Sequence, residues 1–153
     1  MKRLPYGLSD FPRLISEDYY YVDKTRYIEL LENQPDFLFL LRPRRFGKSL
    51  FMAMLETYYS VDYRERFDEL FSGLYIGQHP TPLRNKYLTL RFNFSEVTSN
   101  PDEVERSFKA YCCMVIKDFI IGHEALLGSD VWKVVKADDT DPSAMLSALN
   151  PYI

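Results

Sequence analysis

Residues 42–49 read Arg-Pro-Arg-Arg-Phe-Gly-Lys-Ser, and no other stretch of the chain has residue types and spacing that point as directly to chemistry. Glycine, lysine and serine at the start of a helix are what an anion site needs. Backbone N–H groups and the helix dipole attract negative charge there, and the lysine adds a point charge. On that pattern Lys48 reaches the outer phosphates of a nucleotide, and the Ser49 hydroxyl is a ligand for Mg2+. Gly47 lets the backbone approach the phosphates with no side chain in the way. The full pattern asks for glycine at the position of Arg42, and Pro43 removes one N–H from the phosphate nest. Against that loss, Arg44 and Arg45 add charge along the path of a polyphosphate.

Such a loop needs elements to hold it. Residues 37–41, Phe-Leu-Phe-Leu-Leu, form a continuous apolar run between Asp36 and Arg42. At that length the run reads as a strand buried on both faces, as in a parallel sheet. After the loop, Leu50, Phe51, Met54, Leu55 and Tyr58 recur at helical spacing and predict a helix from Lys48 to Tyr59. Upstream, residues 1–22 read as irregular, broken by Pro5, Gly7 and Pro12, and Asp23 reads as the cap of a helix from Lys24 to about Glu32, with Tyr27, Ile28 and Leu31 on one face. Downstream, the pattern predicts a helix near 62–72 with Phe67, Leu70 and Phe71 together. Gly77, Pro80 and Pro82 mark a loop, and residues 87–94 alternate as a second strand. Asn100-Pro101-Asp102-Glu103 reads as a capped helix start, with the helix running to about Ile121 and Val104, Phe108, Tyr111 or Cys112, Val115 and Phe119 on its buried stripe. A short helix is expected from Pro142 to Leu149 after the acidic turn at Asp138–Asp141. The coarse class is α/β, with parallel strands at 37–41 and 87–94 flanked by helices.

Composition sets the bounds. The chain has 153 residues, 46% hydrophobic and 27% charged, a balance that excludes disorder and suits a single domain. Its net charge of −3 excludes a surface that binds nucleic acid all over, so the basic cluster at Arg42, Arg44, Arg45 and Lys48 is a local feature. No apolar run is long enough to span a membrane, and no secretory signal follows Met1. The only cysteines, Cys112 and Cys113, are adjacent, which excludes a disulfide framework and suits a reducing cytoplasm. With His79 and His123 they lack the usual zinc spacings, so they read as two buried thiols. Tyr19-Tyr20-Tyr21 reads as packing rather than as a base-stacking platform.

Several segments together resemble the AAA-ATPase-like family of bacterial proteins. They are Tyr20-Tyr21-Val22-Asp23-Lys24-Thr25-Arg26-Tyr27-Ile28, the loop from Phe39 to Leu50, and Leu70-Phe71-Ser72-Gly73-Leu74-Tyr75-Ile76. The opening Leu4-Pro5-Tyr6-Gly7 and the segment Leu90-Arg91-Phe92-Asn93-Phe94-Ser95 resemble it too. The likeness extends over most of residues 1–120, and in that family arginine at the first loop position is the usual spelling. It implies one P-loop ATPase domain that binds ATP and Mg2+, commonly followed in longer chains by a nuclease-like domain of the PD-(D/E)xK type. On the same basis Arg42, Pro43, Arg44, Arg45, Phe46, Gly47, Lys48, Ser49 and Leu50 inherit phosphate binding. Asp23 and Lys24 would lie on the adenine side, although helix capping is a sufficient role for Asp23.

Hydrolysis also needs an apolar strand ending in an acid, to hold magnesium and polarise water. Tyr19-Tyr20-Tyr21-Val22-Asp23 fits that string but precedes the loop, whereas in the family the acidic strand follows it. Residues 87–95 end in Asn93 and Ser95, with Glu96 beyond. The expectation is therefore an N-terminal portion of the domain: a lead-in and helix over 1–35, strand, loop and helix over 36–60, and the remaining helices and second strand over 61–153. It would bind nucleotide more readily than hydrolyse it, and an exposed sheet edge would favour self-association. The other reading is a non-catalytic interaction module whose basic loop grips nucleic-acid phosphate or a partner protein.

Overall fold

Asp10 opens the first helix, α1 (Phe11–Ser16): its carboxylate accepts the Arg13 N–H at 2.9 Å, and Pro12 sits in the first turn, where its missing N–H costs nothing. The same proline reads in the sequence as a breaker, and here it is a starter. The computed structural model describes residues 2–35, 37–131 and 141–150. It divides into two compact units, Met1–Thr89 and Leu90–Ile153.

In the first unit α1 is followed by α2 (Tyr27–Glu32), α3 (Lys48–Tyr59), a 3-10 turn (Val61–Arg66), α4 (Phe67–Phe71) and α5 (Tyr75–Gln78). Helix α3 has the span expected from its spacing. The single helix expected at 62–72 is split into the 3-10 turn and α4, and α2 starts three residues later than expected. Around α3 the core closes on rings. Phe11 lies 5.2 Å from Phe71, Tyr58 is 5.6 Å from Phe71, and Phe67 stacks on Phe71 at 5.1 Å. Ile28, Ala53, Met54, Leu70 and Ile76 complete it. The Tyr58 hydroxyl, buried in that core, accepts the Thr81 N–H at 2.8 Å and meets its hydroxyl at 2.9 Å. Thr81 and Tyr59 both donate to Glu32, at 2.7 and 3.1 Å. This network ties the end of α2 to the end of α3.

The second unit is built on α6 (Val104–Gly122), with α7 (Glu124–Leu127) and α8 (Pro142–Leu149). Helix α6 buries Cys112, Cys113, Ile116, Phe119 and Ile120, and packs against α8, which buries Met145 and Leu149. Val104 and Phe108, expected on the stripe, are partly exposed at the start of α6. Asn100 does not cap α6. Its side chain accepts the Asp102 N–H at 3.2 Å in a separate turn, and the helix begins beyond it without a side-chain cap. Asp141 does cap α8, accepting the Ser143 N–H at 3.1 Å. Residues 138–140 of the expected acidic turn lie outside the described residues.

The expected α/β core is not what forms. Among the described residues there is no β-strand, only two isolated parallel bridges, Arg3 with Tyr19 and Ser60 with Tyr87. The run at 37–41 is not a buried strand: Phe37, Phe39 and Leu41 are about nine-tenths exposed, while Leu38 and Leu40 are less so. Even Leu38 and Leu40 are open to solvent, so neither side of the run is buried. An apolar run becomes a strand only when neighbours take up its N–H and C=O groups, and among the described residues none does. The second expected strand, 87–94, keeps one bridge at Tyr87 and ends in a 3-10 turn, Phe94–Glu96. There the Asn93 side chain accepts the Ser95 hydroxyl at 2.8 Å, and the Tyr111 hydroxyl accepts the Asn93 N–H at 2.6 Å. The Tyr111 hydroxyl has thereby taken a backbone N–H that a ladder would need. The sheet edge expected to drive self-association is likewise absent among the described residues.

Candidate functional site

The loop ends at Gly47, whose φ of +75° is left-handed backbone that glycine adopts without penalty. From it α3 runs for 12 residues, with no side chain capping its first turn and no acid in that turn. Its leading N–H groups therefore face outward with the positive end of the helix dipole. Arg45 also has positive φ, at 65°, so two of three consecutive residues curl the loop. The Lys48 ammonium folds back over the loop and donates to the Arg42 carbonyl at 2.6 Å.

Facing the loop is the turn at Asp23–Thr25. One Asp23 oxygen accepts the Thr25 N–H at 2.8 Å and its hydroxyl at 2.7 Å, while the other accepts the Tyr75 N–H at 2.8 Å. The Thr25 hydroxyl, fully buried, in turn accepts the Ile76 N–H at 3.1 Å. Two side chains thus staple this turn to the start of α5, and α2 follows with Arg26 rather than Asp23 at its cap position. Between them Lys24 points to the loop, its Nζ 3.8 Å from where a Cβ on Gly47 would stand.

Between turn and loop is a cleft of about 450 Å³. Asp23, Lys24, Arg42, Phe46, Gly47 and Lys48 line it, so it gathers both adenine-side candidates and four of the phosphate-loop candidates. Ser49 and Leu50 do not line it. They line a neighbouring cleft of about 530 Å³ with Arg45 and residues 5–9, to which Gly47 and Lys48 also contribute. Pro43 and Arg44 are exposed on the loop. The sequence reading missed the far wall of the first cleft, made by Tyr27, Leu30 and Leu31 of α2. Tyr27 and Leu31 did stand out there, but as a core face, whereas of that face Ile28 alone is fully buried. Behind the loop Tyr21 packs edge-on against Phe11 at 5.5 Å, and burial pushes its phenol up to about 12.

Charge in the cleft is one-sided. Lys24, Arg26, Arg42 and Lys48 line it, and Asp23 is its one carboxylate among the described residues, with both oxygens already accepting hydrogen bonds. No cluster of three or more His, Cys, Asp or Glu side chains suited to a metal ion occurs among the described residues. The available donor, the Ser49 hydroxyl, suits a magnesium ion that arrives with phosphate oxygens and water in its shell, not an ion caged by protein alone.

A family model described as "Predicted AAA-ATPase" matches residues 5–153. The chain belongs to the AAA-ATPase-like family. This AAA-ATPase-like chain is also 42% identical over 76 residues to the "Uncharacterized protein in vnfD 5'region" of Azotobacter chroococcum mcd 1. That stretch is 49% of the chain and 14% of the relative, so the chain spans a small part of the relative's length. No solved structure matches the chain. Among the described residues no helix is long and apolar enough to cross a membrane.

Proposed function

We propose that this AAA-ATPase-like chain binds a nucleoside triphosphate, ATP, at the loop over residues 42–50, with Mg2+ carried in on the phosphates. The observation that carries the reading is the open start of α3 at Gly47, flanked by the Lys24 and Lys48 ammonium groups in a cleft with one engaged carboxylate. A volume of about 450 Å³ falls in the range of small-molecule sites. In this reading the Lys48 ammonium exchanges the Arg42 carbonyl for a phosphate oxygen. Arg42 and Arg45 add charge, Gly47 gives close backbone approach, and the Ser49 hydroxyl reaches the magnesium ion. Ser49 would hold the ion, which would supply charge to offset that of the phosphates.

The reading is one of binding and does not extend to hydrolysis. Asp23, the carboxylate at hand, accepts three hydrogen bonds from the staple and is not available to activate water. The two unbridged cysteines fit a reducing cytoplasm.

Calorimetric titration of the 153-residue chain with ATP and magnesium, beside a Lys48→Ala variant of unchanged far-UV circular dichroism, tests this. Saturable binding should weaken by roughly ten- to a hundredfold in the variant, as loss of a charge-assisted hydrogen bond implies. A folded wild type that takes up no ATP, or a variant that binds as well as wild type, refutes the reading. Binding of nucleic acid instead, falling steeply with salt and indifferent to magnesium, would establish the interaction-module alternative.

A further inference from the structure

The family resemblance assigns Lys24 to the adenine side of a nucleotide, but its surroundings are those of a phosphate ligand. We infer that Lys24 is a second phosphate-binding cation, gripping the polyphosphate from the wall opposite Lys48. The inference rests on the nucleotide reading of the same cleft and goes one step further, to which end of the ligand lies where.

Three observations carry it. First, the Lys24 Nζ stands 3.8 Å from the Cβ position of Gly47, at the mouth of α3, where uncapped N–H groups and the helix dipole collect anionic charge. An ammonium placed there shares any phosphate oxygen that those N–H groups hold. Second, no carboxylate among the described residues pairs with Lys24. Its nearest acidic neighbour in sequence, Asp23, spends its oxygens on Thr25 and Tyr75. Third, the cleft has an apolar wall for a base: Tyr27, Leu30 and Leu31 of α2 line it, together with Val22, Leu40, Phe46 and Phe51. A base would bury its faces against that wall and place its phosphates toward Lys24.

The staple explains how a flexible lysine is aimed. Thr25 is fully buried and Asp23 is tied across to α5, so the backbone on both sides of Lys24 is fixed. Asp23 and Thr25 are on this account positioning residues. They act on the ligand through the direction they give to Lys24.

The test is competition against a fluorescent ATP analogue, with ATP, GTP and inorganic tripolyphosphate as displacing ligands. It is run on wild type, Lys24→Gln and Lys24→Arg, each checked for unchanged far-UV circular dichroism. Lys24→Gln should weaken ATP, GTP and tripolyphosphate alike, by roughly tenfold or more, and leave the ATP-to-GTP ratio as in wild type. Lys24→Arg, keeping the charge, should restore most of the affinity. Loss of ATP affinity with tripolyphosphate unaffected, or a changed ATP-to-GTP ratio, would place Lys24 on the base and overturn the inference. So would a Lys24→Gln variant that binds all three as wild type does, or a wild type whose ATP tripolyphosphate cannot displace. A wild type that binds no ATP removes the nucleotide reading itself, an outcome distinct from all of these.

Discussion

Thr25→Val is the sharpest test of the staple, because it exchanges one hydroxyl for a methyl group at nearly constant volume. The Thr25 side chain is fully buried, donates to Asp23 at 2.7 Å and accepts the Ile76 N–H at 3.1 Å. Valine leaves that N–H unpaired beside a residue that is itself fully buried. An orphaned buried donor costs about 1–3 kcal/mol. The lost bond to Asp23 adds at the lower end of its range, roughly 1 kcal/mol, since the exposed carboxylate recovers water and keeps its two backbone donors. The added methyl returns part of this through burial of about one CH2 equivalent, near 0.8 kcal/mol. The expected net loss is about 1–3 kcal/mol.

Thr25→Ser is the companion. It keeps both hydrogen bonds and gives up one buried methyl, for a loss of about 1 kcal/mol. Urea unfolding followed by far-UV circular dichroism gives the two values, and amide exchange at Ile76 reads the local opening directly. The order is what matters: valine must be worse than serine, with Ile76 exchanging faster in the valine variant alone. Serine worse than valine, or an unchanged Ile76 amide, would mean that apolar packing rather than the polar bridge holds the turn, and the argument for an aimed Lys24 would lose its support.

Two further changes address the frame around the cleft. Gly77→Ala, on α5, would drive its new Cβ into the Phe71 carbonyl, which is backbone and cannot step aside, so it should cost at least about 1–3 kcal/mol in urea unfolding. Gly73→Ala, with open space around it, should stay near wild type as the control. Tyr21, with its phenol pushed up to about 12 by burial, keeps its proton in the fold at pH values where the unfolded chain, near 10, has released it. Its contribution is therefore complete below pH 10 and is lost as pH rises toward 12. Tyr21→Phe should flatten that alkaline fall, as measured by unfolding midpoints at pH 9, 10 and 11; an unaltered slope would show that Tyr21 does not titrate as its burial implies. Tyr59, raised by burial and by Glu32, acts in the same direction and remains in the variant.

What the sequence disclosed depended on how far each determinant reached along the chain. The span of α3 was legible because its repeat and the Gly47 turn are contiguous, and α8 because Asp141 and Pro142 announce it. The start of α1 carried the same signal at Asp10 and Pro12, obscured by the more common meaning of proline. At 37–41 composition was read as burial, yet the run is exposed. Apolar residues show what a segment would gain from a partner and do not supply one. The strand at 87–94 failed for a different reason, because the Tyr111 hydroxyl and the Asn93 side chain claim backbone N–H groups at its end, which alternation alone cannot reveal.

The same distinction divides the candidate site. Its loop half, Arg42 to Leu50, is local: residue types gave Arg44, Arg45, Gly47, Lys48 and Ser49, and the family resemblance supplied the rest. The other half depends on bonds between Asp23 or Thr25 and residues 75–76, about fifty positions away, which no spacing rule anticipates. In the sequence Asp23 therefore looked like a helix cap or an adenine neighbour, both local roles. In the structure its carboxylate joins two distant segments, and Arg26 stands at the cap position of α2 instead. The consequence for the cleft is mechanical. No β-ladder among the described residues carries the loop, so the spacing between Lys24 and Gly47 is set by α2, α3 and α5 through this staple. Ligand affinity and the stability of the Thr25 turn should accordingly fall together across the Thr25 variants, whereas a loop positioned by its own backbone alone would let the second fall without the first.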